Sequence, residues 1–281
     1  MQLQFVGCGD AFGSGGRFNT CFHLVGRNVN ALIDCGATSL VAMNKLAINR
    51  NDIDTILITH FHADHVVDLT ALVKSGFFSE RDAALTISGP SAGGEFPSLH
   101  EFLRAQFDEK AGAFRYLSGA LDGSGGLFKL EPKEIDAGSK APAVVLTSHD
   151  VKVSAIGVPH GPVPALAYRV DVGGLQIVFS GDQNGSAPAF WELAHDADLL
   201  VMAHAVPEDA DRVARKLHAV PSVIGAGAAD AHVRRLVLTH LMARSIDTLD
   251  ANLALIRQRY SGPIDVAHDL ACYPLAAPAS R

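Results

Sequence analysis

The sequence predicts an α/β (α+β) chain in which a run of strands and a helix or two occurs twice, giving two β-sheets with a site in the cleft between them. Three observations carry this reading. Short apolar runs such as Ile56-Leu57-Ile58 read as strands of a sheet covered on both faces. Helical spacing follows such runs in both halves, over Val66 to Phe78 early and Leu249 to Tyr260 late. Residues able to bind metal stand at the C-terminal ends of apolar runs in both halves, first at His60 and again at His160, Asp182 and His240.

Taken in order, Leu3, Phe5 and Val6 begin a first strand. It runs into the Gly-rich loop 7–16, which lacks the third glycine and the helix of a dinucleotide-binding turn. Thr20 to Val25 and Asn30 to Ile33 read as a hairpin about Gly26-Arg27-Asn28. Ser39 to Leu46 is helical, Ile53 to Thr59 a strand, Leu85 to Ser88 a strand, and Leu99 to Leu103 part of a helix in which His100 is a surface residue. From about 112 to 142 the periodicity fades among Gly, Ser, Lys and acidic residues. Phe114, Tyr116, Leu117, Leu127 and Phe128 argue for one or two irregular hairpins there, a lid or dimer contact, within a single domain over 1–281. Strands follow over Val144 to Thr147, Val151 to Val158, Ala165 to Val172 and Leu175 to Phe179, the last two joined by Gly173-Gly174, with His149 in a turn. Pro188 to His195 is a short helix, Asp198 to Met202 a strand, Val213 to Leu217 weakly helical, Val223 to Ala231 a small-residue helix, Arg234 to Thr239 a strand, and Ile264 to Ala267 a closing strand.

Composition narrows the function classes. The 281 residues are 48% hydrophobic, enough for a large core. The net charge of −7 argues against nonspecific nucleic-acid binding, which needs Lys and Arg on phosphates. It leaves small anionic substrates open, because divalent ions reverse the charge locally. The four Cys form no C-x-x-C pair and read as reduced core residues of a cytoplasmic protein. The N-terminus lacks a signal-peptide pattern, and no run approaches the roughly 20 apolar residues of a membrane helix.

The densest chemistry is Thr59-His60-Phe61-His62-Ala63-Asp64-His65. On an extended backbone His60 and His62 point to one side. Asp64 and His65 follow where the chain turns into a helix and can face the other way. One divalent ion could take the His pair and a second the Asp–His pair, with one position left open for water. His160, Asp182 and His240 each end a β-rich run and bring the candidates to seven.

The order His60-x-His62-x-Asp64-His65, His160, Asp182, His240 resembles the metallo-β-lactamase superfamily of hydrolases. The resemblance implies a four-layer αββα sandwich of two mixed sheets. It implies one metal on His60, His62 and His160, a second on Asp64, His65 and His240, and Asp182 bridging both. Asp34, in Asp34-Cys35-Gly36, resembles the family's carboxylate that orients metal-binding histidines from behind. The implied cofactors are two divalent ions, with zinc the default and manganese or iron accepting the same donors. Such a pair acidifies a shared water and polarises the electrophile, so a bridging hydroxide could hydrolyse a phosphodiester, thioester, lactam or lactone.

Local signals favour phosphodiesters. His160 to Arg169, with a strand carrying Tyr168-Arg169, resembles the ribonuclease Z-like and small-phosphodiesterase branch. Arg17-Phe18-Asn19 resembles that branch's Arg-Asn loop at the rim, where Arg17 could meet a substrate phosphate or be a solvated turn residue. His218-Ala219-Val220 resembles its His-Ser-Thr loop, whose His is thought to protonate the leaving oxygen. Ala-Val replaces Ser-Thr, so His218 reads either as a general acid or as a helix-capping residue. His160 and Asp182 stand only 22 positions apart, leaving no room for that branch's tRNA-gripping arm. Asp198 to Ala205 occupies the place of its His-Glu-Ala-Thr loop, with Met and Ala for His-Glu; His204 could be a shifted substitute but is not among the expected site residues. The expectation is a phosphodiesterase acting on a small phosphodiester or cyclic nucleotide, with Asp64 and His218 as catalytic groups and a homodimer compatible with the chain. The rivals are a lactonase or thioesterase-type acyl hydrolase, a tRNA 3′-end nuclease and a non-catalytic metal-binding scaffold.

Overall fold

The structure is a computed structural model that describes residues 1–77 and 79–276. Fourteen strands among them form two seven-stranded sheets. The first contains β1 (Gln2–Gly7), β2 (Cys21–Val25), β3 (Asn30–Ile33), β4 (Thr55–Leu57), β5 (Leu85–Pro90), β6 (Leu130–Ile135) and β14 (Ala271–Pro274), in the order β14-β1-β2-β3-β4-β5-β6. The second contains β7 (Ala143–Ser148), β8 (Val151–His160), β9 (Val163–Val172), β10 (Leu175–Phe179), β11 (Leu199–Ala203), β12 (Leu236–Thr239) and β13 (Ile264–Val266), in the order β13-β12-β11-β10-β9-β8-β7. Each sheet is antiparallel at one side and parallel at the other: β3-β4-β5-β6 and β10-β11-β12-β13 are parallel.

The layers follow from alternation along strands buried on both faces. Leu57 of β4 and Val237 of β12 enter the core between the sheets, beside Phe5, Phe22 and Phe179. Ile56 and Ile58 face the helices over the first sheet, with Leu69, Leu103 and Phe107. Leu236 and Leu238 face those over the second, with Phe190, Ile224 and Ile256. Each such fully buried side chain contributes about 1.5–3 kcal/mol of apolar burial. The result is the αββα sandwich that the family resemblance implies.

Several segments depart from the sequence reading. The helix expected over Val66 to Phe78 is two short helices, Ala63–Val66 and Leu69–Lys74; Phe78 lies outside the described residues. Asp68 separates them, its carboxylate accepting from the Leu40 N–H and its own N–H donating to the Cys35 carbonyl. The 112–142 segment holds a single turn of helix (Arg115–Leu117), the helix Gly119–Asp122 and edge strand β6 rather than hairpins. Leu117, Ala120, Leu127, Phe128 and Leu130 are buried, so this stretch closes the helix face of the first sheet. β6 was hidden by Glu131, Pro132, Lys133 and Glu134, which an edge strand tolerates. β14 pairs β1 and was not anticipated. It turns Cys272 outward, so only Cys8, Cys21 and Cys35 are core thiols. No helix among the described residues is long and apolar enough to cross a membrane.

Candidate metal centre

β3, β4, β10, β11 and β12 deliver their C-terminal ends to one edge of the sandwich, and β8 runs in the same direction as β10. Asp34, His60, His160, Asp182, His204 and His240 stand at or just past these ends. Two hydrogen bonds fix the first sheet's contribution against the second. The Tyr168 hydroxyl donates to the Ile58 carbonyl at 2.8 Å, and the Leu166 N–H donates to the Thr59 carbonyl at 2.9 Å. Gly36 is required where the Asp34-Cys35-Gly36 turn passes the helix start, because a Cβ there would lie 2.0 Å from the Asp64 carbonyl oxygen.

All seven predicted donors converge. The donor atoms of His60, His62 and His160 lie within 4.8 Å of one another, as do those of Asp64, His65 and His240, and of His60, His65 and Asp182. His62 Nδ1 is 3.3 Å from His160 Nε2. Two imidazole nitrogens at 2.0–2.1 Å from one tetrahedral ion stand about 3.3 Å apart. Asp182 Oδ2 is 3.2 Å from His240 Nε2, 3.5 Å from His65 Nε2 and 3.9 Å from His160 Nε2, so one carboxylate faces both groups of histidines.

The outward nitrogens are held from behind. His65 Nδ1 donates to Asp34 Oδ2 at 2.7 Å. Asp34 also accepts from the Thr59 N–H at 2.7 Å and the Thr59 hydroxyl at 2.8 Å. With its proton turned to Asp34, the Thr59 oxygen accepts from His60 Nδ1 at 3.0 Å. His160 Nδ1 donates to the Leu217 carbonyl at 2.9 Å. These bonds place the lone pairs of His60, His65 and His160 on Nε2, facing the centre. His60 Nε2, His65 Nε2 and Asp182 Oδ1 are buried without a hydrogen-bond partner. Buried polar atoms are rarely left so, and these fit one or more bound cations.

The electrostatics agree. In the ion-free chain burial pushes the Asp182 and Asp64 carboxyls up, but neighbouring imidazoles outweigh it and hold both below the usual range, His240 and His65 around Asp182, His65 and His240 around Asp64. Burial lowers His60, and the other imidazoles lower it further. His65 goes the opposite way: burial opposes protonation, but Asp182, Asp34 and Asp64 together raise its pKa. Two carboxylates among these imidazoles, Asp64 and Asp182, thus stand ionised for a cation.

The remaining predicted residues separate. His218 is buried beside the centre, its ring 5.3 Å from His160 and 5.5 Å from His240. Burial lowers its pKa to about 3, so it is a neutral imidazole at pH 7. Arg17 turns its guanidinium toward Cys8 and Gly15 on its own loop. Sequence reasoning passed over Thr59, which joins Asp34 to His60, and Arg244, four residues after His240. Arg244 has a buried Nε without a partner, and its charge is one of those that hold His218 neutral. Its position after the last ligand strand was the only sequence signal.

His204 is not a substitute acid but a packed residue. Its Nε2 accepts from Asn252 Nδ2 at 3.2 Å, and burial lowers its pKa to about 4. The unfolded chain takes up a proton near pH 6.5 that the folded chain refuses until about pH 4, so stability is lost as pH falls through that interval. Between pH 7 and pH 5 this group should remove roughly 2 kcal/mol. Urea unfolding at both pH values should therefore show a smaller acid loss for His204→Gln than for the wild type; equal losses would refute the assignment.

Comparison with known proteins shows what these features are similar to. The family model described as anti-Pycsar protein Apyc1 matches residues 1–107. The ribonuclease Z of Methanosarcina acetivorans is 26% identical over 297 residues, covering 96% of each chain. That of Listeria monocytogenes serotype 4a is 26% identical over 305 residues, covering 98% of this chain and 99% of the relative. Among solved structures, the metallo-β-lactamase fold protein YhfI of Bacillus subtilis superposes with a TM-score of 0.75 at 18% identity, covering 97% and 98% of the two chains. The short form of human tRNase Z gives 0.74 at 20% identity over 99% and 100%. A diphosphatase of the PhnP family gives 0.69 at 16% identity over 98% of each. These relatives, matched over nearly their whole length, and this sandwich give the chain the metallo-β-lactamase fold and a likeness to the ribonuclease Z enzymes.

Proposed function

We propose that the protein is a phosphodiesterase with two divalent ions, acting on a small phosphodiester such as a cyclic nucleotide. The observation that carries this reading is the convergence of seven donors whose outward nitrogens are already bonded. His60, His62 and His160 would hold one ion, Asp64, His65 and His240 the other, with Asp182 between them; zinc suits the set, and manganese or iron would also be accepted. When bound, such ions supply Lewis-acid stabilisation and a water acidified toward neutrality. Asp34 and Thr59 keep His65 and His60 in the tautomer that serves them. Asp64, ionised at any working pH, can accept a proton from the attacking water. His218, neutral and adjacent, offers an N–H to the oxygen on which charge develops, and Arg244 adds a fixed cation beside it. Arg17 can reach a substrate phosphate only by leaving Cys8.

The two-residue link between β8 and β9 (Gly161-Pro162), at the cleft end of the second sheet, supports a small substrate, since it leaves that side of the cleft without an inserted arm. The ribonuclease Z names of the relatives favour a second reading, tRNA 3′-end processing. Parallel assays of bis(p-nitrophenyl) phosphate, 3′,5′-cyclic nucleotides, precursor tRNA, a lactone and an acyl thioester on metal-loaded protein test both. Turnover of cyclic nucleotides and the aryl diester above the others is expected; cleavage of precursor tRNA alone would select the second reading, and acyl hydrolysis alone would overturn both. His218→Ala should lower diester turnover by roughly a hundredfold with metal content unchanged. An unchanged rate would remove His218 from the chemistry.

A further inference from the structure

A second group of metal-binding side chains stands on the outside of the molecule and shares no residue with the cleft. The helix Pro188–Leu193 ends in a turn carrying His195 and Asp196, and the helix Pro221–Asp230 ends in a turn carrying His232. The turns are joined by the Asp196 N–H, which donates to the Ala231 carbonyl at 2.9 Å. Arg169 clamps the first turn through the Leu193 and His195 carbonyls. Backbone bonds therefore position both imidazoles without help from the imidazoles themselves.

His195 Nε2 stands 3.3 Å from His232 Nδ1, the spacing of two nitrogens on one tetrahedral ion and the same as that between His62 and His160 in the cleft. Asp196 Oδ2 lies 3.1 Å from His195 Nδ1. Accepting the proton there, it leaves the Nε2 lone pair aimed at His232, the carboxylate–histidine arrangement that supports metal binding. Both side chains of the His195–Asp196 pair are more than half exposed, so an ion can enter from solvent. Asp196 and His232 also occupy left-handed backbone, φ 56° and 53°, at helix ends where glycine is the easier residue.

We propose that His195 and His232 bind one borderline divalent cation, of the zinc, nickel or copper(II) class, at a solvent-accessible site apart from the catalytic cleft, with Asp196 fixing the tautomer of His195. The ion clips together the ends of two helices that cover the second sheet. The site borders a groove of about 500 Å³ that is lined by His195 and by Trp191, the only tryptophan of the chain, so a bound paramagnetic ion has a reporter at hand.

The test is titration of metal-loaded protein, dialysed free of loosely held ions, with nickel(II). Trp191 fluorescence and bound nickel per chain are read together. The comparison proteins are His195→Ala and His232→Asn, the latter keeping a residue that accepts left-handed backbone. The wild type should quench saturably and hold one more nickel than either variant, whose apparent affinities should be at least about tenfold weaker. The cleft ions and diester turnover should be the same in all three proteins. Quenching and nickel uptake that survive in both variants would overturn the proposal.

Discussion

Replacing Asp182 with alanine is expected to lower diester turnover by about a thousandfold or more and to remove most of the bound metal. Asp182 Oδ2 faces His240, His65 and His160, which belong to both proposed ion positions, and Oδ1 has no other partner. Losing it therefore weakens both positions. Lewis-acid stabilisation is worth several kcal/mol, and about 4 kcal/mol corresponds to a thousandfold in rate. Asp182→Asn separates charge from shape: it keeps the volume of the side chain and should still fold, yet lose ions and rate nearly as far. Metal content by mass spectrometry and steady-state rates on the same preparations would decide. Full metal occupancy with wild-type turnover in Asp182→Ala would sink the dinuclear centre.

Why the centre was legible before the fold was known is clear from its parts. Four donors lie within six residues after one strand, so their convergence is local chemistry. His160, Asp182 and His240 each close an apolar run, and parallel strands that share an edge must bring such ends together. Long-range bonds left no comparable trace. Nothing around Leu217 announces that its carbonyl fixes His160, 57 positions earlier, and nothing around Arg17 announces that its guanidinium turns to Cys8. β6 and β14 escaped for a different reason. Edge strands carry polar residues and proline where central ones cannot, so their periodicity is weak. Burial was equally invisible at His218: its neighbours in sequence give no hint that packing holds its pKa near 3.

Asp34→Ala should be the most damaging substitution to stability among the residues behind the centre, by roughly 3–5 kcal/mol. Asp34 is 1% exposed and accepts from the Thr59 N–H, the Thr59 hydroxyl and His65 Nδ1. Burial raises its pKa even against these donors and the His65 charge, so the carboxylate is itself held at a cost that its hydrogen bonds offset. Removing it leaves three buried donors unpaired, each worth about 1–3 kcal/mol of lost solvation. It also frees Thr59 and the His65 ring to turn, which should weaken metal binding without any donor to the ions having been changed. Asp34→Asn separates these effects. Its one oxygen can accept from the Thr59 N–H, but the amide NH2 then faces the Thr59 hydroxyl and His65 Nδ1, the two donors that share Oδ2, so stability should recover partly while metal affinity stays about ten- to a hundredfold low. Denaturant unfolding of the ion-free proteins reads the first effect and competition with a chelator reads the second. If Asp34→Ala unfolds at the wild-type denaturant concentration and holds its ions as tightly, the carboxylate is not what positions His65.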